Sequence, residues 1–261
     1  MIRIDDYHAS PGLSKSDLDL IHRSPAHYKY RKANPQEQTP AMLLGSVTHK
    51  LVLEPEDFAS EFAVMPDCDR RTKEGKERWK QFSDELDDRV TVVSQEIMMQ
   101  ASAMADAVKS HPFASRLLRC GAAEQSFYWM EGDTRCKCRP DYLREDGIIV
   151  DLKTTQNASP ADFPKSAYNY RYHVQAWWYL HGLRTIGFPA REFVFIAVEK
   201  EPPYAVCVFV ADDAVLKLGE QEALADLETY RWCVEHDNWY GYEKTPKTHS
   251  LTLPEWAARR L

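Results

Sequence analysis

The sequence predicts an α/β fold with a mixed central β-sheet flanked by helices, on three observations. Helical apolar spacing dominates the first half of the chain. Residues 124–153 alternate strand-like runs with the turn signals Glu131-Gly-Asp and Glu145-Asp-Gly. A helical segment, 170–183, then separates an apolar strand at 148–153 from another at 193–198. A strand, a helix and a strand in that order form a crossover unit, while two runs joined by a tight turn form a hairpin. Parallel and antiparallel neighbours therefore share one sheet.

The elements follow in order. Ser14-Lys-Ser-Asp-Leu-Asp-Leu-Ile reads as a helix capped by Ser14 or Ser16, with Leu18, Leu20 and Ile21 facing inward. A second short helix follows Pro25. Leu43, Leu44, Val47 and Leu51 recur at helical spacing and predict a largely buried helix over 41–53. Residues 68–80 are strongly charged and read as a solvated loop and helix start, with a DNA-contacting flap as the alternative. Thr91 to Leu118 has helical spacing throughout. Glu124 to Met130 reads as a strand beginning at Glu124, and Thr134 to Arg139 as its hairpin partner. Phe193-Val-Phe-Ile-Ala-Val and Tyr204-Ala-Val-Cys-Val-Phe-Val are strands joined across Glu201-Pro-Pro, and an acidic helix runs from Asp212 to about Glu235. No repeat or linker interrupts the chain, so residues 1–261 are expected to form a single domain. Its parts are a helical N-terminal part (about 1–120), a sheet core (about 121–211), and a C-terminal helix and tail (about 212–261).

Composition bounds the function. With 44% hydrophobic residues in 261, the chain can bury a core. It holds no run of about 18 apolar residues, which argues against a membrane span. Met1-Ile-Arg-Ile lacks the order of a signal peptide, so a cytoplasmic protein with reduced thiols is expected. A net charge of −7 argues against nucleic acid as partner only if charge is uniform, and it is not. Residues 212–235 hold seven acids against Lys217 and Arg231, a net −5, whereas 163–191 contain Lys165, Arg171, Arg184 and Arg191 and no acid. No His-x-x-x-His or paired-cysteine zinc motif occurs.

The chemistry concentrates near Asp151-Leu-Lys153. Strand alternation puts Asp151 and Lys153 on one face and Val150 and Leu152 on the other. Asp141 lies ten residues earlier and Glu124 earlier still. Three carboxylates and a lysine near the ends of neighbouring strands suit a hard cation such as Mg²⁺, with the lysine orienting or deprotonating a water.

Asp141 followed by Asp151-Leu-Lys153 resembles the signature of the PD-(D/E)xK nuclease superfamily. Gly45-Ser-Val-Thr-His49 and Gln175-Ala-Trp-Trp-Tyr179 resemble two further motifs of its RecB-like branch. Tyr7-His-Ala-Ser-Pro-Gly-Leu-Ser-Lys-Ser, Arg71-Thr-Lys-Glu-Gly-Lys and Leu253-Pro-Glu-Trp resemble the nuclease domain of RecE-type exonucleases (exonuclease VIII). The resemblance implies a PD-(D/E)xK core in which His49, Asp141, Asp151 and the Leu152 carbonyl ligate Mg²⁺, with Mn²⁺ as a substitute. Glu124 would hold a second metal, Lys153 would position the attacking water, and Gln175 and Tyr179 would support the lysine and the scissile end.

The implied activity is degradation of linear double-stranded DNA, 5′→3′, leaving 3′ single strand for recombination by annealing, as in prophage systems. The implied assembly is a homo-oligomeric ring working with a RecT-like single-strand annealing protein. Arg70, Arg71, Lys73, Lys165 and Arg171 are candidates for the DNA path, and Lys15 or Arg31 for a 5′-phosphate. Two alternatives stay open: a structure-selective or single-strand nuclease of the same superfamily, and a non-catalytic DNA-binding module on a degenerate nuclease fold. Cys68, Cys120, Cys136, Cys138, Cys207 and Cys233 include no closely spaced C-terminal trio, so no iron–sulfur cluster is expected. Cys136 and Cys138 are expected in the core, as are Trp177 and Trp178.

Overall fold

The computed structural model describes residues 4–87 and 89–253. Met1-Ile-Arg3 of the leader reading and Pro254-Glu-Trp256 of the closing motif lie outside the described residues.

The chain opens with α1 (Ile4–Ala9), α2 (Lys15–Arg23) and α3 (Pro25–Ala33). Ser14 caps α2 in a capping box with Asp17, and Ser24 caps α3 ahead of Pro25, whose fixed φ suits the first helical turn. Next come α4 (Pro40–Leu53), α5 (Phe58–Glu61), β1 (Phe62–Val64) and α6 (Lys73–Glu85). Thr91–Val93 is a strand, β2, paired in parallel with β1, where the sequence suggested continuous helix. Three successive β-branched residues resist a helix, and Ser94 caps α7 (Gln95–Ser110) immediately afterwards. Pro112 ends that run and opens α8 (Pro112–Leu117).

The central sheet holds five strands among the described residues, in the order β3-β6-β7-β8-β9. These are β3 (Gly121–Ala123), β6 (Tyr142–Arg144), β7 (Ile148–Thr155), β8 (Glu192–Glu199) and β9 (Val206–Val210). Only the β7–β8 pair is parallel, joined by a crossover through α9 (Phe163–Asn169) and α10 (Tyr172–Thr185). A separate hairpin, β4 (Phe127–Glu131) with β5 (Thr134–Cys138), stands outside this sheet. The chain then closes with α11 (Asp213–His236), capped by Asp212.

The β7 alternation divides the core. Val150 and Leu152 face a cluster with Leu44 and Val47 of α4 and Met104 of α7. Ile149 faces the opposite cluster, with Ala176 and Leu180 of α10. Trp178, Cys136 and Cys138 are buried in a third cluster beneath the hairpin, while Trp177 is half-buried, stacked on His181.

The N-terminal segment is stitched to that hairpin. Leu13 pairs with Cys136, and the Lys137 ammonium donates to the main-chain carbonyls of Tyr7 and Ser10 at 2.7 and 2.8 Å. Helices α10 and α11 meet through Gly219, where an added Cβ would lie 2.1 Å from the His173 carbonyl oxygen. Gly219→Ala is therefore expected to cost ~1–3 kcal/mol by overpacking. Urea unfolding should show a lower midpoint with an unchanged slope.

Candidate active site

The site is assembled outward from β7. Asp151 is fully buried on the strand face covered by α10. Its Oδ1 accepts a hydrogen bond from Gln175 Nε2, and its Oδ2 lies 2.6 Å from Lys153 Nζ. Lys153 Nζ in turn donates to Gln175 Oε1 at 2.9 Å. The three side chains close a triangle between β7 and α10. Burial opposes the Lys153 charge, but Asp151 and Asp141 outweigh it and hold the ammonium pKa above its ordinary value.

One residue along the strand, the Leu152 N–H donates to Asp141 Oδ2 at 2.7 Å. Asp141 precedes β6, and its main-chain carbonyl accepts the Glu124 N–H at 3.0 Å. Glu124 does not begin a strand, as the sequence suggested. It follows β3 in the left-handed region with φ 52°, turning the chain out of the sheet toward the β4–β5 hairpin. Backbone pairing still brings it to Asp141, because β3 lies beside β6 and β6 beside β7. From the other side of the sheet, α4 supplies His49, whose Nδ1 is 3.4 Å from Asp141 Oδ2 and whose ring faces the Leu152 carbonyl.

One ligand atom from each of His49, Glu124 and Asp141 lies within 4.8 Å of the others. Asp151 is adjacent but held in its triangle, where Oδ2 is buried and accepts no aligned hydrogen bond. Desolvation raises the carboxyls of Glu124, to about 7, and of Asp141. Neighbouring carboxylates add to it: Asp141 beside Glu124, and Asp151 beside Asp141. Arg139 offsets part of this by donating to Glu124 Oε2 at 2.7 Å. Desolvation lowers the His49 imidazole, favouring the neutral form that offers a lone pair. Oxygen-rich donors, a neutral imidazole and carboxyls raised by burial and then by one another are a donor set that fits a hard divalent cation. Gln175 and Tyr179 share one face of α10, and both line the cleft in front of the site.

That cleft encloses about 2200 Å³. Ten Lys and Arg and seven Asp and Glu line it, a net positive wall in a chain of net −7. Lys15 and Arg31 are among them. None of the five residues suggested for the DNA path is part of this lining. Arg70 lies over the Trp79 ring, Arg71 pairs with Asp69, Lys73 with Glu77 and Lys165 with Asp162. Arg171 is spent on Asp19, Glu222 and Asp226 between α2, α10 and α11. The basic groups of the lining that sequence reading missed include Lys32, Arg135, Lys137 and Arg139. Arg135, Lys137 and Arg139 alternate along β5 and its end, and the docking of the N-terminal segment on the hairpin brings Lys32 of α3 to the same cleft.

Residues 14–245 match the family described as a PDDEXK-like domain of unknown function, DUF3799. The chain belongs to this family. Among solved structures it is similar to a candidate exonuclease of Eubacterium rectale, at 14% identity over 95% of this chain and 96% of that one, with a TM-score of 0.63. That similarity concerns the fold. A phage-related exonuclease of Haemophilus somnus 129PT matches at 10% identity over 89% and 99%, with a TM-score of 0.39. No curated protein matches the sequence. No helix among the described residues is long and apolar enough to cross a membrane.

The raised carboxyls have a stability consequence. A carboxyl whose pKa is higher folded than unfolded stabilises the fold below the ordinary carboxylate range, and that contribution is lost as pH rises through the folded value. In EDTA, the melting temperature is therefore expected to fall from the ordinary carboxylate value of 4.5 upward and to level off above the Glu124 value of about 7. Glu124→Gln, measured by differential scanning fluorimetry, should flatten that fall.

Proposed function

We propose that this PDDEXK-like chain is a metal-dependent exodeoxyribonuclease that hydrolyses phosphodiester bonds of linear double-stranded DNA 5′→3′. The observation that carries the chemistry is the placing of three ligand atoms, from His49, Glu124 and Asp141, within 4.8 Å of one another. Beside them stands an ammonium fixed by Asp151 and Gln175. By the resemblance, His49, Asp141, Asp151 and the Leu152 carbonyl would hold a Mg²⁺ ion, with Mn²⁺ as a substitute and Glu124 serving a second. Glu124 already stands with His49 and Asp141, and Asp151 would join them by turning an oxygen away from Lys153 or Gln175. When bound, the metal supplies positive charge against the phosphate and makes water more acidic.

The chain's own residues do the rest. Lys153 keeps its proton, so it orients the nucleophile and offsets charge on the phosphate as a cation rather than acting as a base. Asp151 and Gln175 take two of its donor directions, and the Tyr172 ring lies 4.6 Å from the ammonium. Gln175 fixes both partners at once, and Tyr179 lines the wall one turn further along α10. The net positive cleft suits a polyanion. The duplex substrate, 5′→3′ polarity, 3′-strand product, ring assembly and annealing partner follow from the resemblance to RecE-type exonucleases. The exonuclease description of the Eubacterium rectale protein agrees with action at ends.

Nucleotide release in Mg²⁺ from duplexes labelled at either end, with closed circles as control, tests this reading. Release beginning at the 5′ label and absent on circles is expected, and Lys153→Ala should lower the rate ~10²–10³-fold. Cutting of circles would instead mean an endonuclease, and binding without release a non-catalytic module. Because Glu124 and Asp141 must lose protons to ligate, apparent Mg²⁺ affinity by calorimetry should rise from pH 6 to pH 8, with proton release that Glu124→Gln diminishes.

A further inference from the structure

Where α9 meets α10, two tyrosines stack, one in the cleft wall and the other, Tyr170, outside the lining and against it. Tyr172 lines the cleft, and the Lys153 ammonium lies 4.6 Å from its ring centroid. Tyr170 stacks on it with centroids 5.8 Å apart and an interplanar angle of 22°. Residues two apart on a regular helix do not face each other. Here Arg171 between them takes a left-handed conformation, φ 54°, and the two rings come together. The conformation costs free energy in a non-glycine residue, and Arg171 is held by ion pairs to Asp19, Glu222 and Asp226. Tyr172 is backed by Phe163 and Phe195. Tyr170, by contrast, is 64% exposed. A large aromatic ring is thus built onto the core through a second ring, yet left open to solvent.

The surroundings indicate what would cover it. Lys15 Nζ donates to the Tyr170 carbonyl at 2.8 Å and lies 5.8 Å from the Tyr172 ring, so two ammonium groups flank the stack. One of them, Lys153, belongs to the site proposed for phosphodiester hydrolysis. A flat ring beside ammonium groups and a phosphodiester site matches a nucleotide, which presents a π-face next to an anionic backbone. Resting on the nuclease reading above, we infer that Tyr170, supported by Tyr172, is a stacking platform for an unpaired base of the strand entering the site. Bases inside a duplex already stack on their neighbours. The platform therefore selects a frayed or single-stranded end over an intact duplex edge.

A short single-stranded oligonucleotide with 2-aminopurine as its terminal base, mixed with the full-length protein and Ca²⁺, reads this directly. Binding of the wild type is expected to quench the fluorescence. Tyr170→Ala should abolish the quench and weaken binding about tenfold, while Tyr170→Trp retains both. An oligonucleotide abasic at that position should bind the wild type as weakly as the normal one binds Tyr170→Ala. Tyr168 is comparably exposed, at 61%, but stacks on His173, and Tyr168→Ala should change nothing. Unquenched binding by the wild type, equal affinity for abasic and normal ends, or an equal loss in Tyr168→Ala would each overturn the platform and leave the nuclease reading standing. Failure of the wild type to bind any of these strands or a duplex would overturn both. Unchanged melting temperatures of the variants keep folding out of the comparison.

Discussion

The triangle of Asp151, Lys153 and Gln175 is the constraint on which the rest of the site depends. A fully buried carboxylate is costly unless it is paired and hydrogen-bonded. Here both partners come from fixed positions: Lys153 two residues along the same strand and Gln175 on the covering helix. Helix α10 cannot rotate or slide on the sheet without taking from Asp151 and Lys153 the hydrogen bonds that Gln175 makes to both. Its approach is also set by glycines. A Cβ at Gly182 would meet the Trp129 ring, and one at Gly219 the His173 carbonyl. With β7 and α10 fixed, the remaining groups are spaced from β7 by backbone geometry: Asp141 from the Leu152 N–H, Glu124 from the Asp141 carbonyl.

Charge segregation makes such a site workable in an acidic protein. The acidic helix α11 turns Glu222 and Asp226 inward onto Arg171, His173 and His22, where they join elements together. The cleft on the other hand gathers an excess of Lys and Arg. A polyanion approaching the molecule responds to that local field more than to the total charge, because screening confines interactions to about 10 Å at ordinary salt.

Strand alternation made Asp151 and Lys153 legible in the sequence, since period two puts them on one face whatever the rest of the fold does. His49, Gln175 and Tyr179 were legible only through motif resemblance, because a histidine or a glutamine on an apolar helix looks like any satisfied core residue. Glu124 was found but its setting was not. Left-handed backbone at a glutamate leaves no signature in Ala-Glu-Gln-Ser, and strands of three residues such as β3, β6 and β2 fall below the length at which periodicity can be recognised. The ion pairs of Arg171 were hidden from the sequence for a related reason. Local sequence showed a basic stretch free of acids, and its partners sit some 50 and 150 positions away in α11 and α2.

The stitching of the N-terminal segment to the β4–β5 hairpin bears on how the molecule comes into being. Leu13 and Lys137 are joined across more than a hundred residues, so one wall of the cleft consists of the first and the middle parts of the chain. During synthesis the N-terminal segment emerges long before its docking strand exists. It must wait, solvated, until the hairpin has left the ribosome. Closing so long a loop delays folding, because the entropy is lost before the contact is gained. Assembly of the cleft is consequently a late event, and the nascent chain carries no completed cleft until well past its midpoint.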